Sequence, residues 1–143
     1  MTALLLSIHV LASIVAIGPI TVAASMFPRS VKPGSDPATA ALLHRVCRGY
    51  TVVGVAVPVF GIATGAAMGV LGQPWLSVSM LLTALAAALL LLAILPGQKR
   101  LLDAAEATRE ATTRLTMTTG LFNLVWATVV VLMITRPGST TGV

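Results

Sequence analysis

An all-α, integral membrane four-helix bundle is the fold class this sequence predicts, and three observations predict it. Four long stretches, residues 3–26, 50–71, 76–95 and 115–135, contain no Lys, Arg, Asp or Glu. Each holds about 20 residues or more, which at about 1.5 Å per residue is enough to cross a hydrocarbon core of about 30 Å. The composition agrees: 57% of residues are hydrophobic, only 9% are charged, and the mean hydropathy is +0.98. Soluble domains carry about a quarter charged residues, so the solvent of this chain is lipid. Finally, eight of the nine basic residues fall in two of the gaps between the stretches.

The first stretch has no Lys or Arg ahead of it and runs longer than the apolar core of a secretory signal, so we expect a permanent first span. Gly18-Pro19 inside it is expected to kink it. Between spans one and two lie Arg29, Lys32, Arg45 and Arg48. Asp36-Pro37 reads as an N-cap followed by proline at the first helical position, and the helix it starts, 38–49, should run on into span two.

Span two carries Gly54, Pro58, Gly61, Gly65 and Gly69 at intervals of four, three, four and four. That spacing puts them on one face, where small residues let another helix come close. Packing inside this bundle is the plain reading, and a homodimer or partner-subunit face is its rival. Pro58 should also kink the span.

The turn Gly72-Gln73-Pro74-Trp75 carries no charge, and Trp75 suits an interfacial anchor at the membrane surface. Pro96-Gly97 is expected to end span three. Lys99, Arg100, Arg109 and Arg114 follow, and 99–114 should form a charged helical extension below span four, with Glu106/Arg109 and Glu110/Arg114 at pairing distance. Only Arg136 lies outside these two basic gaps. The positive-inside rule therefore assigns both basic gaps to the cytoplasm and both termini to the outer side. The expected location is a bacterial cytoplasmic membrane, with residues 1–143 forming one transmembrane domain.

The basic excess does not suggest nucleic acid. The positive side chains flank apolar spans with almost no interleaved aromatics, so anionic headgroups are the simpler partner. Cys47 is the sole cysteine, which rules out an internal disulfide and a cysteine-based metal site. No Ser/His/Asp set, metal-ligand pair at i,i+4 or phosphate-cradling loop is present, and no span contains a carboxylate. A conventional enzyme and a carboxylate-based proton carrier are both disfavoured. The methionines Met26, Met68, Met80, Met117 and Met133 are too scattered for a copper track.

His9 is the strongly ionisable side chain within a span, about 9 Å below the outer boundary on a rise-per-residue count. A similar depth on the other helices gives Thr64, Thr83 and Thr128, which could complete a hydrogen-bonded polar layer. The imidazole N–H needs a partner, and a threonine hydroxyl or a carbonyl freed by a kink would serve. The functional readings of His9 are axial haem ligand, quinone contact or proton-relay member; the plain one is a satisfied structural histidine. His44 stands at the basic end of span two, about 20–30 Å from His9, too far to share one iron, and is expected in the headgroup layer. Asn123 in span four should bond back to Thr119 or across to another helix.

Ile8-His9-Val10-Leu11 followed by Gly18, then Pro58…Thr64-Gly65, Trp75-Leu76 and Pro96-Gly97-Gln98-Lys99-Arg100-Leu101, resemble a bacterial group. These are small four-helix proteins known only as predicted integral membrane proteins of unknown function. The resemblance covers about the first two-thirds of the chain and implies the four-span fold. More distantly, the early His is similar to copper-resistance D and HemJ-like membrane proteins. The HemJ-like proteins are haem-associated protoporphyrinogen oxidases, and that similarity implies His9 as the matching ligand. Their pattern also includes a lysine at a later helix, and here Lys99 lies beyond Pro96.

The expected function is thus a non-catalytic accessory or scaffolding subunit, embedded in the lipid bilayer and packed against a membrane-protein partner or a second copy. No cofactor is required by that reading. The alternative is a haem- or quinone-binding redox protein using His9. Cysteines introduced at Arg109 and Ser139 should label from opposite sides of the membrane; labelling of both from one side would refute the orientation.

Overall fold

The computed structural model describes residues 2–104 and 108–136, and every regular element among them is helical. The elements are α1 (Thr2–Ser30), α2 (Pro37–Gly54), α3 (Ala56–Met68), α4 (Pro74–Leu89), a π-helical turn (Leu90–Ile94), α5 (Leu95–Asp103) and α6 (Arg109–Thr135). They group into four rods, 3–30, 37–68, 74–103 and 109–135, each long and apolar enough to cross a membrane.

The first rod extends one turn past its expected end. Neither Pro19 nor Pro28 interrupts α1, which continues to Ser30. Gly34, at φ +85°, turns the chain. Asp36 then caps α2 as the sequence suggests: its Oδ1 accepts from the Ala38 N–H at 3.0 Å, with Pro37 in the first turn. The second rod is interrupted at Val55, whose backbone stays helical. Pro58 has no N–H for the carbonyl of Gly54 one turn back, so the ladder must break there. Gly69 closes α3 in the left-handed region, with its N–H on the Ala66 carbonyl and the Val70 N–H on that of Gly65. That is the paired C-terminal bond pattern of a Schellman motif.

The third rod departs from expectation. Pro96-Gly97 does not end it, because the π turn just ahead of the proline loosens the winding and the helix continues to Asp103. A π adjustment re-satisfies carbonyls that a proline strands, which matters in a solvent without donors. Side chains explain where the turn sits. Ala86, Leu90, Ile94 and Gln98 are all buried at strict four-residue intervals. Four residues of ideal α-helix overshoot one turn by about 40°. A wider turn absorbs that drift and keeps all four facing inward.

The segment 99–114 is accordingly not one helix below span four. Its first part belongs to α5, and α6 has its own N-cap, Thr108, whose hydroxyl accepts from the Ala111 N–H. Glu110 and Arg114 do pair, at 3.5 Å and well exposed. The Glu106/Arg109 pair lies outside the described residues.

Packing is organised around α1. It lies along both α2 and α3 on one side and meets α6 on another, while α4 packs mainly on α6. The second and third rods approach each other at their ends, through α2 with α5 and through the short α3–α4 turn. Ala16, Ile20, Ala23, Ala24 and Phe27 line the inner face of α1, against Cys47, Val57, Leu90, Ile94 and Phe122. At the far end Val70, Trp75 and Leu76 form a smaller cluster with Met68 and Met133.

Gly65 is the tightest apolar contact of the α3–α4 turn: a Cβ there would sit 3.0 Å from Leu71 and 3.1 Å from Leu76 side chains. Gly65→Leu should lower stability by about 1–3 kcal/mol, read as a lower thermal unfolding midpoint in detergent. Gly120→Leu, where no atom lies within 4 Å, should leave that midpoint nearly unchanged.

Candidate functional site at His9 and a second polar cluster at His44

His9 projects from α1 onto α3, where its Nδ1 lies 2.9 Å from the carbonyl oxygen of Val57. A carbonyl can only accept, so Nδ1 carries the proton and donates. In the neutral ring Nε2 then holds the lone pair, and it has no hydrogen-bond partner among the described residues. The approach depends on Gly61: a Cβ there would fall 2.8 Å from His9 Cε1 and 3.2 Å from Nδ1. The imidazole rests on a bare backbone, held by one bond and half-buried.

The rest of the glycine stripe does several different jobs. Gly54 lies in van der Waals range of Ala16, Ile17 and Ile20 on α1. Gly65 makes room for Leu71 and Leu76, Gly69 caps α3, and Pro58 is exposed. Gly54 and Gly61 therefore admit α1, while Gly65 and Gly69 shape the end of α3.

The threonines expected beside His9 are not joined to it. Thr64 donates to the Phe60 carbonyl, Thr83 to Ser79 and Thr128 to Leu124, each one turn back on its own helix at 2.7–2.9 Å. A hydroxyl on a helix can turn to that carbonyl, so it needs no neighbour. The polar layer gives way to separate, self-satisfied groups, and the backbone of α3 is what serves His9.

His44 corrects a second expectation. It is 9% exposed and belongs to the interior of the basic end rather than to the headgroup layer. Its Nδ1 donates to Gln98 Oε1 at 2.9 Å; Gln98 Nε2 donates to Cys47 Sγ at 3.6 Å, and the thiol points at the Ile20 carbonyl, 3.9 Å away. Gln98 and Cys47 are fully buried. One directional chain of donors thus ties α2, α5 and α1 together, each bond polarising the next. Ala40, His44 and Cys47 are buried at helical spacing on one face of α2, a signal the sequence held. Gln98 held no such signal, because it follows Pro96-Gly97 and turns inward only through the π turn.

The two histidines stay apart. Val57, which His9 touches, is about 20 Å from His44 along the second rod at the helical rise. Among the described residues no three His, Cys, Asp or Glu side chains converge on a metal-sized space.

Two further polar groups complete the inventory. Asn123 reaches across from α6, its Nδ2 donating to Ser25 Oγ on α1 at 3.1 Å. The Asn123 Oδ1 and the Thr119 hydroxyl one turn away are buried without a partner. Trp75 is buried, not displayed as a surface anchor: its N–H donates to Gln73 Oε1 and the Arg136 guanidinium stands 5.7 Å from its ring centre. Eight basic side chains, Arg29, Lys32, Arg45, Arg48, Lys99, Arg100, Arg109 and Arg114, are exposed around the opposite end.

No curated protein and no solved structure matches the chain. A family model does, over residues 3–137, nearly the whole length. With four membrane-length rods and that match, the chain belongs to the family described as predicted integral membrane protein, DUF2269.

Proposed function

We propose that this integral membrane protein is a non-catalytic accessory or scaffolding subunit of a bacterial cytoplasmic membrane, packing against helices of another membrane protein. The observation that carries the reading is the seam between α1 and α6. There Ser25 is exposed, accepts from Asn123 Nδ2, and has no acceptor for its own hydroxyl proton among the described residues. Hydrocarbon cannot satisfy such a group, whereas a polar side chain on an adjoining helix can, at about 0.6 kcal/mol per bond and up to about 2. The positive-inside reading, with the basic end in the cytoplasm and both termini outside, belongs to the same proposal.

A second reading, a haem- or quinone-binding redox protein, is favoured by one specific observation. His9 donates its Nδ1–H to the Val57 carbonyl, which orients Nε2 with its lone pair unused among the described residues. Ligating histidines are held in this way, with the other ring N–H on a backbone carbonyl.

Photo-crosslinking residues at Met26 and Leu124, which flank the seam pair and are 51% and 69% exposed, should capture a second membrane protein in intact membranes. The same probe at Leu92, 77% exposed on the third rod, should not, and Asn123→Leu should reduce the yield. Capture of a second copy would replace the partner by a homodimer; recovery of uncrosslinked monomer alone would count against the proposal. For the second reading, the protein purified in mild detergent should show a haem band that shifts on reduction and vanishes in a folded His9→Ala variant. A colourless preparation leaves His9 as a packing residue.

A further inference from the structure

The outward face of α2 carries a groove unconnected with either polar cluster. Arg45, Gly49 and Val53 follow at four-residue intervals with Val46 and Tyr50 beside them, and together they line an open space of about 260 Å³. Gly49 makes the notch: nothing lies within 4 Å of where its Cβ would be. The notch has a polarity set by depth. Arg45 is exposed at the basic end, and Val53 lies about 12 Å further along the rod, within the apolar span. The Tyr50 phenol, half-buried between them, has no hydrogen-bond partner among the described residues.

An occupant must therefore be anionic at one end and hydrocarbon at the other. Free phosphate would meet only Arg45, and an uncharged hydrocarbon only Gly49 and Val53. Among the described residues, the end of the molecule that frames the groove carries eight Lys or Arg against Asp36, Asp103 and Glu110. That surplus favours a lipid with net negative charge over one whose phosphate is neutralised by its own ammonium. We propose that this groove binds one anionic phospholipid, with its phosphate at Arg45, the Tyr50 hydroxyl donating to a glycerol ester oxygen, and an acyl chain laid over Gly49 and Val53. The other basic residues attract the headgroup layer diffusely; here a notch and a charge coincide.

Native mass spectrometry of the detergent-purified protein, titrated with phosphatidylglycerol or phosphatidylcholine of matched chains, tests this. One phosphatidylglycerol should be retained in preference to phosphatidylcholine, and excess inorganic phosphate should not displace it. Arg45→Gln should weaken retention about fivefold, Arg45→Lys should keep most of it, and Gly49→Leu should abolish it by filling the notch. Gly18→Leu, at an exposed glycine of α1 with equally open surroundings, should retain the lipid. Should Gly49→Leu fail to fold, the Arg45→Gln and Arg45→Lys pair still decides. Equal retention of the two lipids, or unchanged retention in Arg45→Gln, would overturn the site.

Discussion

Hydrocarbon offers no hydrogen bond, and nearly every polar detail of this molecule follows from that. A chain with one solvent of this kind must satisfy its donors and acceptors from within. Helices do so for the backbone. The side chains follow the same rule at short range: Ser13, Thr51, Thr64, Ser79, Thr83, Thr116 and Thr128 each return a hydroxyl to the carbonyl one turn earlier. Groups too large for that solution reach across to a neighbouring rod, as His9 does to Val57, His44 to Gln98 and Asn123 to Ser25. Against this background the unpartnered Thr119 hydroxyl and Asn123 oxygen are conspicuous, since the rule holds so widely around them.

The same rule governs how the rods tolerate proline. α1 carries Pro19 and Pro28 without interruption, the second rod loosens at Val55 ahead of Pro58, and the third widens into a π turn ahead of Pro96. In each case the backbone stays helical, because ending a helix in lipid would strand more carbonyls than the proline does. The π turn has a second effect, on register. It keeps Gln98 on the inner face with Leu90 and Ile94, so that an amide is delivered between His44 and Cys47. A helix ended at Leu95 would have left both of those groups to find partners elsewhere.

The four rods and the charged end are legible in the sequence because they depend on composition and length alone. Local signals with a covalent cause are legible too: Asp36-Pro37 starts α2, and Pro58 breaks the ladder near Val55. What is not legible depends on angular register between helices. The expected layer of His9 with Thr64, Thr83 and Thr128 assumed that equal depth means contact, but depth fixes height and says nothing of direction. The His44 cluster was hidden for the converse reason, because Pro96-Gly97 reads as a stop and places Gln98 outside any helix. Trp75 shows a third limit. Its position along the chain suits an interface, yet its ring is buried with Val70, Leu76, Met68 and Met133.

The arrangement of contacts around α1 also bears on how the molecule is made. The first two rods, neighbours in the chain, pack along their full length and form one hairpin; α4 and α6 form another. Each hairpin has its main partner close in sequence, so it can assemble as its second rod enters the bilayer. The seam between α1 and α6 joins the earliest of these four rods to the latest. Until α6 arrives, that side of α1, Ser25 included, faces lipid or whatever protein accompanies the nascent chain. The polar pair Ser25–Asn123 is therefore a late contact, made at the step that turns two hairpins into one bundle.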